Sequence, residues 1–450
     1  MNNSRPILKG LSCFPKTLEI FKDFVFAELS RVIKHILLTF LKVKHHKTVK
    51  RVRNLSESAE KGILSYAIKA NSNPSIIKIV REYGATMVTT VSGNEVLLAM
   101  KVGYQPENIL LNGNGKHRWE VELAVRHGVM LNVDSLFDAE QLVEVVEKYK
   151  KSVRVLLRVN PSLDIQDAQT HPHLATALKD SKFGIELQQL DQVLTVLWSS
   201  GRIQAEGVHI HVGSAITQVS IYGQMAKVAI EVINKIKNKG WLKAYIMNLG
   251  GGLAVENEEE FLPTHSNADK NQCFSTRNDS TSSSYPTAQQ LVDEIREQLP
   301  EYITLILEPG RSLVASAGVV LTSVLGVKTN CGNTFVVVDA AMTEVIRPAL
   351  YNAVHPVFPV MLPQSQTESV SVDVVGPVCE GGDFLARRQL LPMPLPKGSG
   401  LVVCKTGAYC AAMASNYNMR PLAPEILITS QDSYQIIRSP QTLQHLLRGY

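Results

Sequence analysis

The chain has 450 residues, 45% hydrophobic and 19% charged, a composition that excludes a disordered or fibrous protein and leaves room for a barrel with an attached domain. Its net charge of +5 is mild and comes largely from the first fifty or so residues, so it gives no reason to expect a nucleic-acid partner. The longest apolar runs, such as Ile36–Leu41, are too short to span a bilayer, and no membrane partner is expected. Six cysteines (Cys13, Cys273, Cys331, Cys379, Cys404 and Cys410) lack CxxC pairs or zinc-ligand spacing, which points to free thiols in a reducing compartment.

Residues 1–60 form a basic N-terminal segment. Phe21–Val43 carries apolar residues at mixed helical spacing and reads as an amphipathic helix packed on the body. The other reading is part of a targeting segment, although the stretch is poor in serine and shows no clear cleavage site. Lys42–Arg53 reads as a solvated connector.

Over 61–316, short β-branched runs alternate with helical stretches. Strands are expected at Ile63–Ile68, Met87–Val91, Ile109–Leu111, Met130–Val133, Val153–Val159, Gly207–His211, Tyr245–Leu249 and Ile303–Leu307. Helices such as Pro74–Tyr83, Arg118–His127 and Ile221–Lys239 lie between them. This alternation predicts a closed parallel (β/α)8 barrel, and the span suits the roughly 250 residues typical of that fold. Two stretches interrupt it. The polar stretch 257–285, with Ser280–Ser284 at its centre, reads as a disordered surface insertion. Residues 161–187 form a long loop containing His171, His173 and Lys182-Phe183-Gly184, of the kind that is functional or mobile. Over 317–450, the runs Val319–Lys328, Phe335–Asp339, Val370–Val375, Gly400–Cys404 and Glu425–Ser430 are separated by prolines and glycines. They predict an all-β domain of Greek-key or sandwich-like type.

The groups with chemical character fall where barrel strands are expected to end. Lys69 closes the first strand, and partial desolvation there would make its amine usable for attachment to a carbonyl. Alone, it reads better as a solvated lysine at a strand end. His209 and His211 close the sixth strand with Ser214 just beyond. As a metal pair they lack further ligands, so no metal is expected, and a ring stacked on a flat cofactor is the better use. Gly250-Gly251-Gly252 closes the seventh strand and leaves backbone N–H groups open to a phosphate, or is simply a tight turn. Glu308 closes the eighth as a carboxylate needing a positive partner, with Gly310 and Arg311 beside it; its plainer reading is a structural ion pair. Cys379-Glu380 lies in a glycine-flanked turn. Arg347, Tyr351 and Tyr409 are suited to carboxylates or phosphate, or to ordinary packing. An imine-forming lysine, a phosphate turn and a carboxylate for a ring nitrogen together describe pyridoxal 5'-phosphate.

The motifs SYAIKAN, SGNE, NGNGK, NVDS, SKFGI, HIHVGS, NLGGG, EPGRS, RPALY, GPVCEGGDFL and GAYCAAMASNYN run from about Gly62 to the C-terminus. On them the chain resembles the fold-type III pyridoxal-phosphate decarboxylases, most closely the plant-type diaminopimelate decarboxylases. The resemblance implies that Lys69 holds the cofactor's aldehyde, that His211 stacks on its ring and that Glu308 pairs with its pyridine nitrogen. It implies phosphate contacts from Ser214, Gly251, Gly252, the backbone around Gly310, and Tyr409. Arg311, Arg347, Tyr351 and Glu380 would bind the far end of an amino-acid substrate, and Cys379 would return a proton after carbon dioxide leaves. The implied reaction is decarboxylation of meso-2,6-diaminoheptanedioate to L-lysine, the last step of lysine biosynthesis, in a homodimer with shared active sites. The alternatives are a decarboxylase of another basic amino acid and a catalytically silent relative. Thr89, Ala177, Ala341 and Glu344 depart from the family pattern. Relatives also begin with a strand that joins the β domain, and none is legible in residues 1–60. A plastid or the cytoplasm would suit such a protein.

Overall fold

The computed structural model describes residues 38–41, 62–162, 181–254, 286–361, 368–430 and 433–450. The expected connector at Lys42–Arg53, the insertion at 257–285, and His171, His173 and Ala177 lie outside the described residues. The chain divides into two compact units, one of His46–Val255 with Tyr285–Val314, the other of Met1–His45, Glu256–Ser284 and Ala315–Tyr450.

In the first unit, eight parallel strands close on themselves. They are Ile63–Ala67, Met87–Thr90, Ile109–Leu111, Met130–Val133, Val153–Asn160, Ile203–His209, Ile246–Asn248 and Thr304–Leu307, and the last pairs back onto the first. The two-residue strand Ile185–Glu186 adds to Val153–Asn160 outside the ring. This is the barrel expected from the alternation. The sixth strand begins earlier than its sequence signal, and the helix Leu190–Trp198 precedes it. Side chains alternate inward and outward along each strand. Ile63, Met87, Leu110, Met130, Leu156, Ile246 and Ile306 pack together as an apolar plug inside the ring. One step further along the same strands the inward residues become polar: Ser65, Thr89, Asn112, Asn132, Arg158, His209, Asn248 and Glu308 are all buried.

The second unit is built on a nine-stranded sheet. Strands Phe384–Met393, Glu368–Val375 and Asn333–Val338 lead to the long strand Val319–Asn330, whose first half also pairs with Gly400–Val403. Val320, Val336, Val338, Val372, Val374, Leu385, Leu401 and Val403 form its core. Beyond Val319–Asn330 comes Leu38–Leu41, then Glu425–Ser430 and Ser433–Arg438.

Leu38–Leu41 corrects two expectations. It falls inside Phe21–Val43, read as helical, and it is a strand joining the β unit, which residues 1–60 had not revealed. It pairs antiparallel with Val319–Leu321 and parallel with Glu425–Leu427. Four residues, Leu-Thr-Phe-Leu, are too few for helix and strand periods to be told apart, so tertiary pairing decides the conformation. The rest of Phe21–Val43 lies outside the described residues.

Candidate active site

Lys69 stands in a single 3-10 turn, Ile68–Ala70, that ends the first barrel strand. The turn is fixed from below. Tyr66 Oη donates to Asn71 O at 2.9 Å, Asn71 Oδ1 accepts from Asn73 N at 3.0 Å, and Asn73 caps the helix Pro74–Glu82. Ile68 and Ala70 are buried, whereas the Lys69 side chain is exposed. The partial burial expected of it is therefore not supplied by these residues. Thr89 shares a 2.8 Å hydroxyl hydrogen bond with Ser65. Glu95 feels the charge of Lys69. Burial pushes its carboxyl up, while a hydrogen bond from Val91 N at 2.7 Å and the charge of Lys69 draw it down.

Glu308 ends the eighth strand. It is 7% exposed, and its Oε1 accepts from Asn248 Nδ2 at 2.7 Å. His209 Nε2 lies 3.4 Å from Oε2, longer than a good hydrogen bond and an ion pair only when the imidazole is protonated. Burial works against the charge on Glu308, but His209, Asn248 and His211 outweigh it and hold the carboxyl down at about 2. His209 is fully buried, and both its ring nitrogens lack a hydrogen-bond partner. Burial holds its imidazole below the usual value, against the pull of Glu308. His211 is pushed further down, first by loss of solvent and then by Lys69 and Arg158, so its ring is neutral. His211 Nδ1 accepts from Gly251 N at 3.3 Å, which leaves the ring proton to Nε2.

The glycine turn is packed against these groups. A Cβ at Gly250 would lie 2.6 Å from His211 Nδ1, and one at Gly251 would overlap the carbonyl oxygen of Glu308. Asn248 Oδ1 accepts from Gly250 N at 2.9 Å, so one side chain braces both the carboxylate and the turn. Ile216 N donates to Gly252 O at 2.8 Å and zips the loop carrying Ser214 to the glycine turn. Gly310 backs onto the lysine strand, where a Cβ would come within 3.0 Å of Ala70 and 3.2 Å of Ala67, and Arg311 opens the short helix that follows. Lys69, His211, Ser214, Gly251, Gly252, Glu308, Gly310 and Arg311 are thus all at one end of the barrel, the carboxyl ends of its strands.

A second polar group shares that end and was not singled out from the sequence. Arg158 is 6% exposed; its Nη1 donates to Asn112 Oδ1 at 3.2 Å, its Nε lies 3.7 Å from Asp134 Oδ2, and its guanidinium stacks on Phe183 at 4.5 Å. Asp134 also accepts from Gly184 N at 3.2 Å, which docks the end of the long loop. Lys116 and Asp138 form a buried ion pair at 2.6 Å, and Asp138 Oδ2 accepts from Asp134 N at 3.0 Å. These contacts bind three successive strand ends into one framework.

In the β unit, Arg347 opens the helix Arg347–Tyr351. Its Nη1 lies 2.9 Å from His355 Nε2, and His355 Nδ1 lies 2.9 Å from the Cys404 carbonyl. A carbonyl only accepts, so Nδ1 carries the proton and Nε2 accepts from Arg347. Cys379 and Glu380 are exposed on the turn between Glu368–Val375 and Phe384–Met393, and Cys379 N donates to Asn418 Oδ1 at 2.9 Å. A Cβ at Gly382 would lie 4.0 Å from Ala349 Cβ, so that turn lies beside the Arg347–Tyr351 helix. Tyr409 is half-buried, with φ at 58°, an uncommon backbone for an aromatic residue. Cys331, Cys379, Cys404 and Cys410 are free thiols. No helix among the described residues is long and apolar enough to cross a membrane.

Comparison with known proteins adds a family. The family described as "Pyridoxal-dependent decarboxylase, pyridoxal binding domain" matches residues 45–315. A probable chloroplastic diaminopimelate decarboxylase from Oryza sativa subsp. japonica is 38% identical over 392 residues, covering 87% of this chain and 74% of that protein. The diaminopimelate decarboxylase of Aquifex aeolicus is 34% identical over 387 residues, covering 86% of this chain and 85% of its own. Among solved structures, diaminopimelate decarboxylase from Helicobacter pylori, complexed with L-lysine, superposes with a TM-score of 0.79 at 30% identity. It covers 94% of this chain and 98% of that one.

Proposed function

From the premise that the chain belongs to the pyridoxal-dependent decarboxylases, we infer that it converts meso-2,6-diaminoheptanedioate to L-lysine and carbon dioxide, as its diaminopimelate decarboxylase relatives are named for doing. The observation that carries this reading is Glu308, ionised and buried at the mouth of a closed barrel whose adjoining strand ends at Lys69.

The residues fit pyridoxal phosphate. A buried carboxylate held ionised at about 2 calls for a cationic partner, and a protonated pyridine nitrogen is one. The neutral His211 ring suits the face of a flat heterocycle better than a charged imidazolium would. When bound, pyridoxal phosphate supplies the electron sink for the pair left at the substrate's α-carbon as carbon dioxide departs. Lys69 Nζ is proposed as the amine that holds the cofactor's aldehyde. Ser214, the backbone of Gly251, Gly252 and Gly310, and Tyr409 are proposed as its phosphate contacts.

The remaining residues are proposed to handle the substrate. Arg311, Arg347 and Tyr351 would take its distal carboxylate and Glu380 its distal ammonium. Cys379 Sγ would deliver the proton that replaces carbon dioxide. The neutral His355 behind Arg347 keeps that guanidinium oriented without competing for its charge. A homodimer, with Cys379 and Glu380 serving the partner's site, belongs to the same reading. The chloroplastic rice relative supports a plastid, with the cytoplasm as the other reducing compartment.

The test is to add pyridoxal phosphate, reduce with borohydride and map the modified peptide. Modification at Lys69 is expected, and modification elsewhere would overturn the mechanism. Carbon dioxide release from diaminopimelate, ornithine and arginine, measured side by side, should be fastest with diaminopimelate. Faster release from ornithine would overturn the substrate.

A further inference from the structure

The turn carrying Cys379 and Glu380 has no regular secondary structure, running from the end of Glu368–Val375 to the start of Phe384–Met393. One buried side chain shapes it. Asp383 is 3% exposed; its Oδ2 accepts from Val378 N at 2.9 Å and its Oδ1 from Met342 N at 2.6 Å. Its main chain closes the same turn, with Gly376 N donating to Asp383 O at 3.2 Å and Asp383 N to Glu380 O at 3.1 Å. Gly376 leaves the space this needs, since a Cβ there would overlap Asp383 Oδ2 and come within 2.7 Å of Ala341 Cα.

The second amide matters as much as the first. Met342 lies in the bend where Glu344 N and Val345 N both donate to Ala341 O at 3.0 Å, and that bend leads into the helix opened by Arg347. A single carboxylate therefore ties the thiol turn and the arginine helix to one point. Neutral hydroxyls or amides could bridge two N–H donors only with one acceptor atom shared, whereas a carboxylate offers one oxygen to each.

We propose that Asp383 is a positioning residue for the reaction, setting the Cys379–Glu380 pair in register with Arg347 so that the proton donor and the two groups for the substrate's far end are presented together. This rests on the proposed roles of Cys379, Glu380 and Arg347.

Asp383→Asn tests it, because the amide keeps the shape but turns an NH2 toward one of the two N–H donors. With diaminopimelate, kcat is expected to fall about tenfold or more, the worth of one charge-assisted hydrogen bond. Borohydride trapping at Lys69 should be unchanged. The decisive readout is alkylation of Cys379 by iodoacetamide, followed by peptide mass spectrometry with the exposed Cys331 as internal reference. The Cys379 rate should change severalfold while Cys331 stays constant. Asn418→Gly guards against a folding failure. It removes the acceptor for Cys379 N at an exposed position whose φ of 55° suits glycine, and it should shift the Cys379 rate in the same way. If both variants keep the wild-type kcat and Cys379 rate, the proposal is overturned. It is equally overturned if Cys379 and Cys331 rates rise together with a lowered melting temperature, since that is general loosening. A wild-type protein that releases no carbon dioxide from diaminopimelate would instead sink the functional reading, and the alkylation comparison would still decide on Asp383.

Discussion

Asn248 and Glu308 end neighbouring barrel strands 60 residues apart in sequence, and the amide of one donates to the carboxylate of the other at 2.7 Å. The same amide's oxygen holds Gly250 N. Asn248 thus supports the charge on Glu308 from the adjacent strand, beside the larger influence of His209. Asn248→Leu should lower kcat/KM roughly 10- to 100-fold, as expected for losing a hydrogen bond to a buried charge. Steady-state carbon dioxide release measures it, and an unchanged value would mean that Asn248 only packs.

The same pair shapes the response to acid. The folded Glu308 lies at about 2 against an ordinary 4.5, so its contribution to stability is present above 4.5 and is lost as pH falls from there through 2. That contribution is about 3 kcal/mol. Denaturant melts of the wild type and Glu308→Gln should therefore differ at pH 6 and converge by pH 2.

Glu344 shows the opposite sign. Its Oε2 accepts from Ala341 N and Thr343 Oγ1, both at 2.9 Å, but Oε1 is buried without a partner, and burial raises the carboxyl to about 7. A raised value means that the folded state holds its proton more tightly. Stability is greatest below 4.5 and falls as pH rises through 7, by about 3 kcal/mol in all. Glu344→Gln, which mimics the protonated form, should raise the melting temperature at pH 8 and leave it unchanged at pH 4. An equal effect at both would contradict the assignment.

Gly251→Ala places a methyl against the backbone carbonyl of Glu308, which has no rotamer to escape into. It should destabilise the barrel by about 1–3 kcal/mol and weaken cofactor retention. Gly115→Ala is the control, because nothing lies within 4 Å of its Cβ position, and its effect should stay within about 0.5 kcal/mol. Thermal melts of the two variants make the comparison.

Lys116→Met strands Asp138 in a buried site and should cost about 3–5 kcal/mol, while Lys116→Met with Asp138→Asn, which removes the charge and keeps an acceptor for Asp134 N, should recover most of it. Equal loss in the single and double variants would show that the stranded charge is not the source of the cost.

Much of the barrel site could be read from the sequence because strand-end residues sit at fixed offsets from short apolar runs, as Lys69, His211, Gly251 and Glu308 do. The supports could not. Asn248 read as part of a glycine motif, since its partner is a strand away. Arg158 and Asp134 lay inside strand and motif signals, and only the folded ring brings Arg158 to both Asn112 and Asp134. Asp383 looked like one more acid in a turn, because its two amide partners come from segments about forty residues apart. Leu38–Leu41 was misread as helical for the same reason: what makes it a strand is contributed by residues near the other end of the chain.

That strand has a consequence for the order of synthesis. A ribosome makes Leu38–Leu41 long before its neighbours, Val319–Leu321 and Glu425–Leu427, so this part of the sheet cannot close until Leu427 has emerged. The match to the family begins at residue 45, beyond the strand. A fragment trimmed to that boundary would keep every residue assigned to chemistry and still lack a strand paired on both sides, leaving two unsatisfied edges inside one sheet.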